Sequence, residues 1–181
     1  MAEQTCREVD VLSSKSLRLR RAFLAEGALE LLFETLQIHM QQVPVVTQAC
    51  AAIRSLTAGE PQGAALATGL DGLSIILDAM CIHMHLSAVQ IRGSLALTAL
   101  MAESEPRQSE GLKAGVVQVT MRVMQQHSDV LMALEAASGV LHTLCKGYMP
   151  AMIVVGEVTS HLGCDPHLTL VITSFHHFII S

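Results

Sequence analysis

The sequence predicts an all-α fold, a solenoid of about three stacked helical units followed by an irregular tail. Three observations predict it. LELLFETLQIHM (Leu29 to Met40) returns without a gap as LSIILDAMCIHM (Leu73 to Met84), a spacing of about 44 residues that falls in the range of helical repeats. VTQACAAIRSL (Val46 to Leu56) falls at the same spacing on QIRGSLALTAL (Gln90 to Leu100), and then on LEAASGVLHTL (Leu134 to Leu144). Within each copy the apolar residues recur at i, i+3, i+4 and i+7, the stripe of a helix buried on one face.

Residues 1–15 are polar and aperiodic, and are expected to form a flexible lead-in. The repeat array is expected over 16–146, in units of about 16–58, 59–102 and 103–146. Each unit opens on a short helix: SLRLRRAFLAEG (Ser16 to Gly27), PQGAALATG (Pro61 to Gly69) and PRQSEGLKAG (Pro106 to Gly115). Pro61 and Pro106 suit a first helical turn, where a missing N–H costs nothing. Gly27, Gly69 and Gly115 suit the bend into the second helix. Lys15, Arg18, Arg20 and Arg21 make a basic run, read as the solvated face of the first short helix in preference to a nuclear-localisation signal.

The second helices bury Leu29, Leu32, Phe33 and Leu36, then Leu73, Ile76, Leu77 and Met80, then the weaker set Val117, Thr120, Met121 and Met124. The third helices bury Ala49, Ala52, Ile53 and Leu56, then Gly93, Ala96, Leu97 and Leu100, then Ala137, Val140, Leu141 and Leu144. A small residue opens each of these stripes, which lets helix axes approach closely. Met80, Met84, Met121, Met124 and Met132 could form an adaptable binding surface, but several of them sit on these stripes, so packing is the default reading.

The stretch 147–181 breaks the pattern. Its β-branched residues Ile153, Val154, Val155, Val158, Val171, Ile172 and Thr173 read as two short extended segments about a Gly163–Pro166 turn, or as an unstructured hydrophobic end. One reading makes it an alternative C-terminus of a longer form.

A short helix bounded by glycine, a second helix, and a third reading A-x-x-A-I/L-x-x-L together resemble the armadillo repeat, over Ser16 to Lys146. The resemblance implies a right-handed α-solenoid that binds a partner protein on the concave face of its third helices. Members similar to importin alpha use Asn and Trp there. The Asn place holds Ser55, Ala99 and Thr143, the Trp place holds Ala51, Leu95 and Gly139, and the chain has no Asn at all. Importin-like peptide recognition is therefore rejected. By the same analogy Gln48, Ser55, Arg92, Leu95 and Thr143 are the candidate partner-binding residues, a shallow and mostly neutral face suited to a helix or a folded surface.

Composition excludes several other classes. The net charge is −5, with five Lys/Arg against three Asp/Glu up to Arg21 and six against thirteen beyond it. An acidic body with 3% aromatics and no Trp suits neither a phosphate-binding groove nor base stacking, so nucleic acid is not an expected partner. No apolar run reaches the about 18 residues of a membrane span. Cys6, Cys50, Cys81, Cys145 and Cys164 are odd in number and lack CxxC spacing, which points to a reducing, intracellular and cytoplasmic setting. Cys50, Cys81 and Cys145, inside helical patterns, are expected to act as small hydrophobes.

No catalytic constellation or phosphate loop is present, so no enzyme, cofactor or metal site is expected. His161, Cys164 and His167, with His176 and His177 near them, match no established zinc spacing, although a metal-binding tail is the alternative from another class. His39, His83 and His127 share one place at the end of each second helix and are read as structural. The expected function is that of a scaffold or adaptor. The alternative within this class is a regulatory repeat piece of a larger signalling protein, for instance a kinase-associated one. Uncapped end units would leave apolar surface open to self-association.

Overall fold

A computed structural model describes residues 1–146, 150–151, 153–155 and 157. Among them the regular structure is entirely helical. The elements are α1 (Ala2–Lys15), α2 (Leu17–Ala25), α3 (Ala28–Ile38), α4 (Val43–Thr57), α5 (Pro61–Gly69), α6 (Gly72–Ile82), α7 (Ser87–Met101), α8 (Glu105–Lys113), α9 (Val116–Gln126) and α10 (Leu131–Cys145). From α2 onward, every helix begins and ends 44 residues after its counterpart in the preceding unit, as Leu17, Pro61 and Glu105 show for the first helices.

The helices pack in rows. The third helices α4, α7 and α10 lie side by side, the second helices α3, α6 and α9 form a parallel row, and α2, α5 and α8 pack against the third helix of their own unit. Between the rows runs one core, which includes Leu29, Leu36, Ile53, Leu56, Ile76, Met80, Leu97, Leu100, Met124 and Leu144, all fully buried. The small residues at the head of each third-helix stripe have a direct cause. A Cβ on Gly93 would sit 2.6 Å from Cγ and Sδ of Met80, so α6 and α7 approach as closely as they do because no side chain stands there.

The bends obey backbone sterics. Gly27 (φ 76°) and Gly115 (φ 86°) take the left-handed conformation between the first and second helices. In the middle unit the left-handed residue is Asp71 (φ 56°), not Gly69, which the sequence had suggested and which is the last residue of α5. Asp tolerates this region better than most non-glycine residues, because its short side chain can bond locally.

Two further expectations change. Residues 1–15, expected to be flexible, form α1, whose contact with α4 is the most extensive between any two helices. Cys6 (2% exposed) and Ser13 (0%) are buried there. The reason is phase: Cys6, Val9 and Ser13 lie one repeat before Cys50, Ile53 and Thr57, so α1 takes the position of a third helix in an incomplete unit ahead of the first. At the other end, Ile153, Val154 and Val155 are helical, not extended. Ala151 and Val155 join the core, so burial against the last unit outweighs β-propensity. Residues 158–181, including the proposed turn and the His161–Cys164–His167 cluster, lie outside the described residues.

Candidate functional site

The third-helix row carries all five candidate partner-binding residues. Gln48 and Ser55 are half-buried on α4, Arg92 is exposed on α7, Leu95 is half-buried beside it, and Thr143 is half-buried on α10. The side-by-side packing of α4, α7 and α10 brings these helices together. Two of the five residues are already engaged within the chain. The Ser55 hydroxyl donates to the Asp10 carboxylate on α1, and the Thr143 carbonyl accepts from Gln108 Nε2 at 2.8 Å. Of the three left, Gln48 lies on α4 and Arg92 and Leu95 form a pair on the central helix α7, with the small residues Ala99 and Gly139 one turn on and one repeat on from Leu95.

Sequence reasoning missed a set of residues at the C-terminal ends of this row. A cavity of about 450 Å³ is lined by Glu103, Glu105, Gln108, His142, Thr143 and Lys146, with Ala102 and Ser104. Only Thr143 among these had been singled out. The others sit in turns or at helix ends, where the apolar stripe used to read the chain gives no signal. A smaller cavity of about 270 Å³ lies between α2 and α5, beside the Arg21–Glu60 ion pair at 3.2 Å.

The last carbonyls of the third helices need partners, since a helix end leaves them without in-helix donors. The first helices supply these. Arg20 donates to the carbonyls of Ala58 and Ser13, Arg107 Nη2 to Ala102 (2.8 Å), and Gln108 Nε2 to Thr143 and, at 3.3 Å, to Lys146. Arg20, within the basic run, is thus structural.

The repeated histidines hold successive units together. His83 Nε2 bonds the carbonyl of Met40 at 2.8 Å, and His127 Nε2 bonds that of Met84 at 2.8 Å. A carbonyl can only accept, so Nε2 carries the proton in both rings. His39, in the first unit, has no such acceptor among the described residues. Gln90 adds a cap of its own, donating to the carbonyls of Met80 and His83 at 2.9 Å each.

The thiols are placed for packing. Burial pushes the Cys50 thiol up to about 12, with the nearby Cys6 thiol adding to the shift, and burial raises Cys6 and Cys145 as well. A thiol held in its neutral form is a poor nucleophile. Cys81 differs from its expected role as a small hydrophobe, because it is exposed. Among the described residues, no three His, Cys, Asp or Glu side chains are grouped to hold a metal ion, and no single helix is long and apolar enough to cross a membrane.

No protein-family model matches this chain, and no curated protein does. Solved structures do. The chain is similar to an engineered protein solved by crystallography at the Northeast Structural Genomics Consortium, with a TM-score of 0.77 and 17% identity over 86% of this chain and 60% of that one. A second engineered protein from the same consortium matches with a TM-score of 0.79 and 15% identity over 98% of this chain and 43% of that one. The chain thus spans between two-fifths and three-fifths of the length of these neighbours, and at such identities the likeness establishes a shared helical fold.

Proposed function

We propose that the chain is a right-handed α-solenoid of armadillo type that serves as a scaffold or adaptor, binding a partner protein on the row formed by α4, α7 and α10. The single observation that carries this reading is the 44-residue register of the units, which sets three like helices side by side. In such arrays the row of third helices is a continuous surface on which a partner can lie. Here it bears exposed Arg92 and half-buried Leu95 among small neighbours. A shallow face of this kind matches a partner's helix or folded surface, with an acidic group opposite Arg92. It lacks the regularly spaced amide side chains that would grip an extended peptide backbone.

The test is a capture from cell extract with the whole chain, set against an Arg92→Glu and Leu95→Glu double variant. The expected outcome is a partner retained by the parent chain and lost, by tenfold or more, by a variant whose thermal midpoint is unchanged. A partner held equally by both rejects this face.

A second reading, a regulatory repeat piece of a larger signalling protein, draws on the first unit. Leu31 on α3 is 61% exposed, whereas its counterpart Ile75 on α6 is 7% exposed. Together with His39, which lacks the acceptor that His83 and His127 have, this marks a flank that further structure could cover. A partner lost on Leu31→Glu, and kept by the Arg92/Leu95 variant, would favour that reading.

A further inference from the structure

The junction between α1 and α2 differs from the two later junctions between a third helix and the next first helix. The later ones run through Ala58–Pro61 and Ala102–Pro106, and each holds a left-handed residue, Gly59 (φ 71°) or Glu103 (φ 53°), followed by a proline. Both features stop a helix. Between α1 and α2 a single residue, Ser16, interrupts the helix in an extended conformation (φ −151°, ψ 125°). No glycine or proline occurs anywhere from Ala2 to Glu26.

The start of α2 is also poor by local rules. Ser16 makes no side-chain capping bond, and the first turn carries Arg18 and no acidic residue. A cation at that end opposes the helix dipole, and the first-turn N–H groups have no in-helix acceptors. One helix running through Ser16 would remove both defects, since those N–H groups would bond the carbonyls of the last turn of α1.

A continuous helix would lift α1 off α4. The face it leaves contains Cys50 and Ser55, which are met by Cys6 and Asp10 on α1. We propose that α1 is an exchangeable element, and that the occupant of the vacated α4 face is α1 of a second copy of this chain. Exchange between two copies restores the α1–α4 interface, including the Asp10–Ser55 hydrogen bond. It changes only the hinge at Ser16, where α2 starts without a side-chain cap and with a cation in its first turn. Short hinges with a better alternative conformation are the setting in which identical elements swap.

The hinge residue sets the balance. Alanine at position 16 favours the continuous helix over glycine, and a swapped dimer holds two hinges, so Ser16→Ala should dimerise about thirty-fold more tightly than Ser16→Gly. Light scattering on size-separated protein across a concentration series reads this directly. Asp10→Cys with Ser55→Cys, in a background with Cys81→Ser and Cys164→Ser, then reports which chains are joined. The expected result is an interchain disulfide in the dimer fraction and an intrachain one in the monomer fraction, on non-reducing gels. Two results would overturn the exchange: no dimer for any position-16 variant at about millimolar chain, or a dimer whose disulfide stays within each chain. The second would place self-association on another face, such as the flank around Leu31. Because the position-16 variants keep Asp10 and Ser55, a cysteine pair that fails to fold leaves the first measurement decisive.

Discussion

At the scale of the residue, backbone conformation singles out two positions where the chain departs from its own pattern. The places held by Gly27 and Gly115 are held in the middle unit by Asp71, and the place held by Gly59 is held one repeat later by Glu103, all with positive φ. A left-handed non-glycine residue is about 1 kcal/mol or more above its preferred conformation. Asp71→Gly and Glu103→Gly should each stabilise the fold by about 0.5–1 kcal/mol, after the extra unfolded-state entropy of glycine is subtracted. Urea unfolding of the single variants measures this, and a midpoint that falls would show that the native side chain makes up for the strain. Gly27 and Gly115 were legible in the sequence. Asp71 was passed over for Gly69, a glycine two residues away, although the 44-residue register that joins Gly27 to Gly115 runs through position 71.

At the scale of the element, what joins one helix to the next is a small set of polar side chains aimed at backbone carbonyls. His83 and His127 each tie the end of their own second helix to the turn of the unit before. His83 is 6% exposed, so its removal leaves the Met40 carbonyl without its partner and a void where the ring packed. His83→Ala should cost about 1–3 kcal/mol. His39→Ala, at the equivalent place without a neighbour, should stay within about 0.5 kcal/mol. Equal losses at both positions in thermal or urea unfolding would mean that the rings act by local packing and not by joining units. The 44-residue recurrence of histidine was plain in the sequence, as was a structural role at helix ends. That the ring reaches back across the unit boundary required the stacked turns to be seen.

At the scale of the whole molecule, each unit touches only its neighbours, so stability accumulates along the stack and is greatest where neighbours stand on both sides. α4 is flanked by α1 and α7, and α7 by α4 and α10. Native-state hydrogen exchange should therefore be slower in α4 and α7 than in α1, with the difference reaching about tenfold or more. Equal protection of α1, α4 and α7 would instead indicate a single cooperative core. The exchange of α1 between copies belongs to this scale too, since an end helix that opens at lower cost than the centre is the one free to move.

Periodicity by itself determined the 44-residue register of the helices from α2 to α10 and the apolar stripes that form their core. These follow from burial on one face of a helix, a property each segment carries in its own spacing. It also placed Gln48, Ser55, Arg92, Leu95 and Thr143 on one row, through the resemblance to armadillo repeats. Tertiary structure decided the two ends. α1 is too polar to announce itself as a packed helix, and only contact with α4 buries Cys6 and Ser13. Ile153 to Val155 have the composition of a strand, and only a neighbouring unit makes them helical. Tertiary structure also distinguished Arg92, which faces outward, from Ser55, which is held by Asp10. Whether a polar side chain is free depends on a partner distant in sequence, and no local pattern records that.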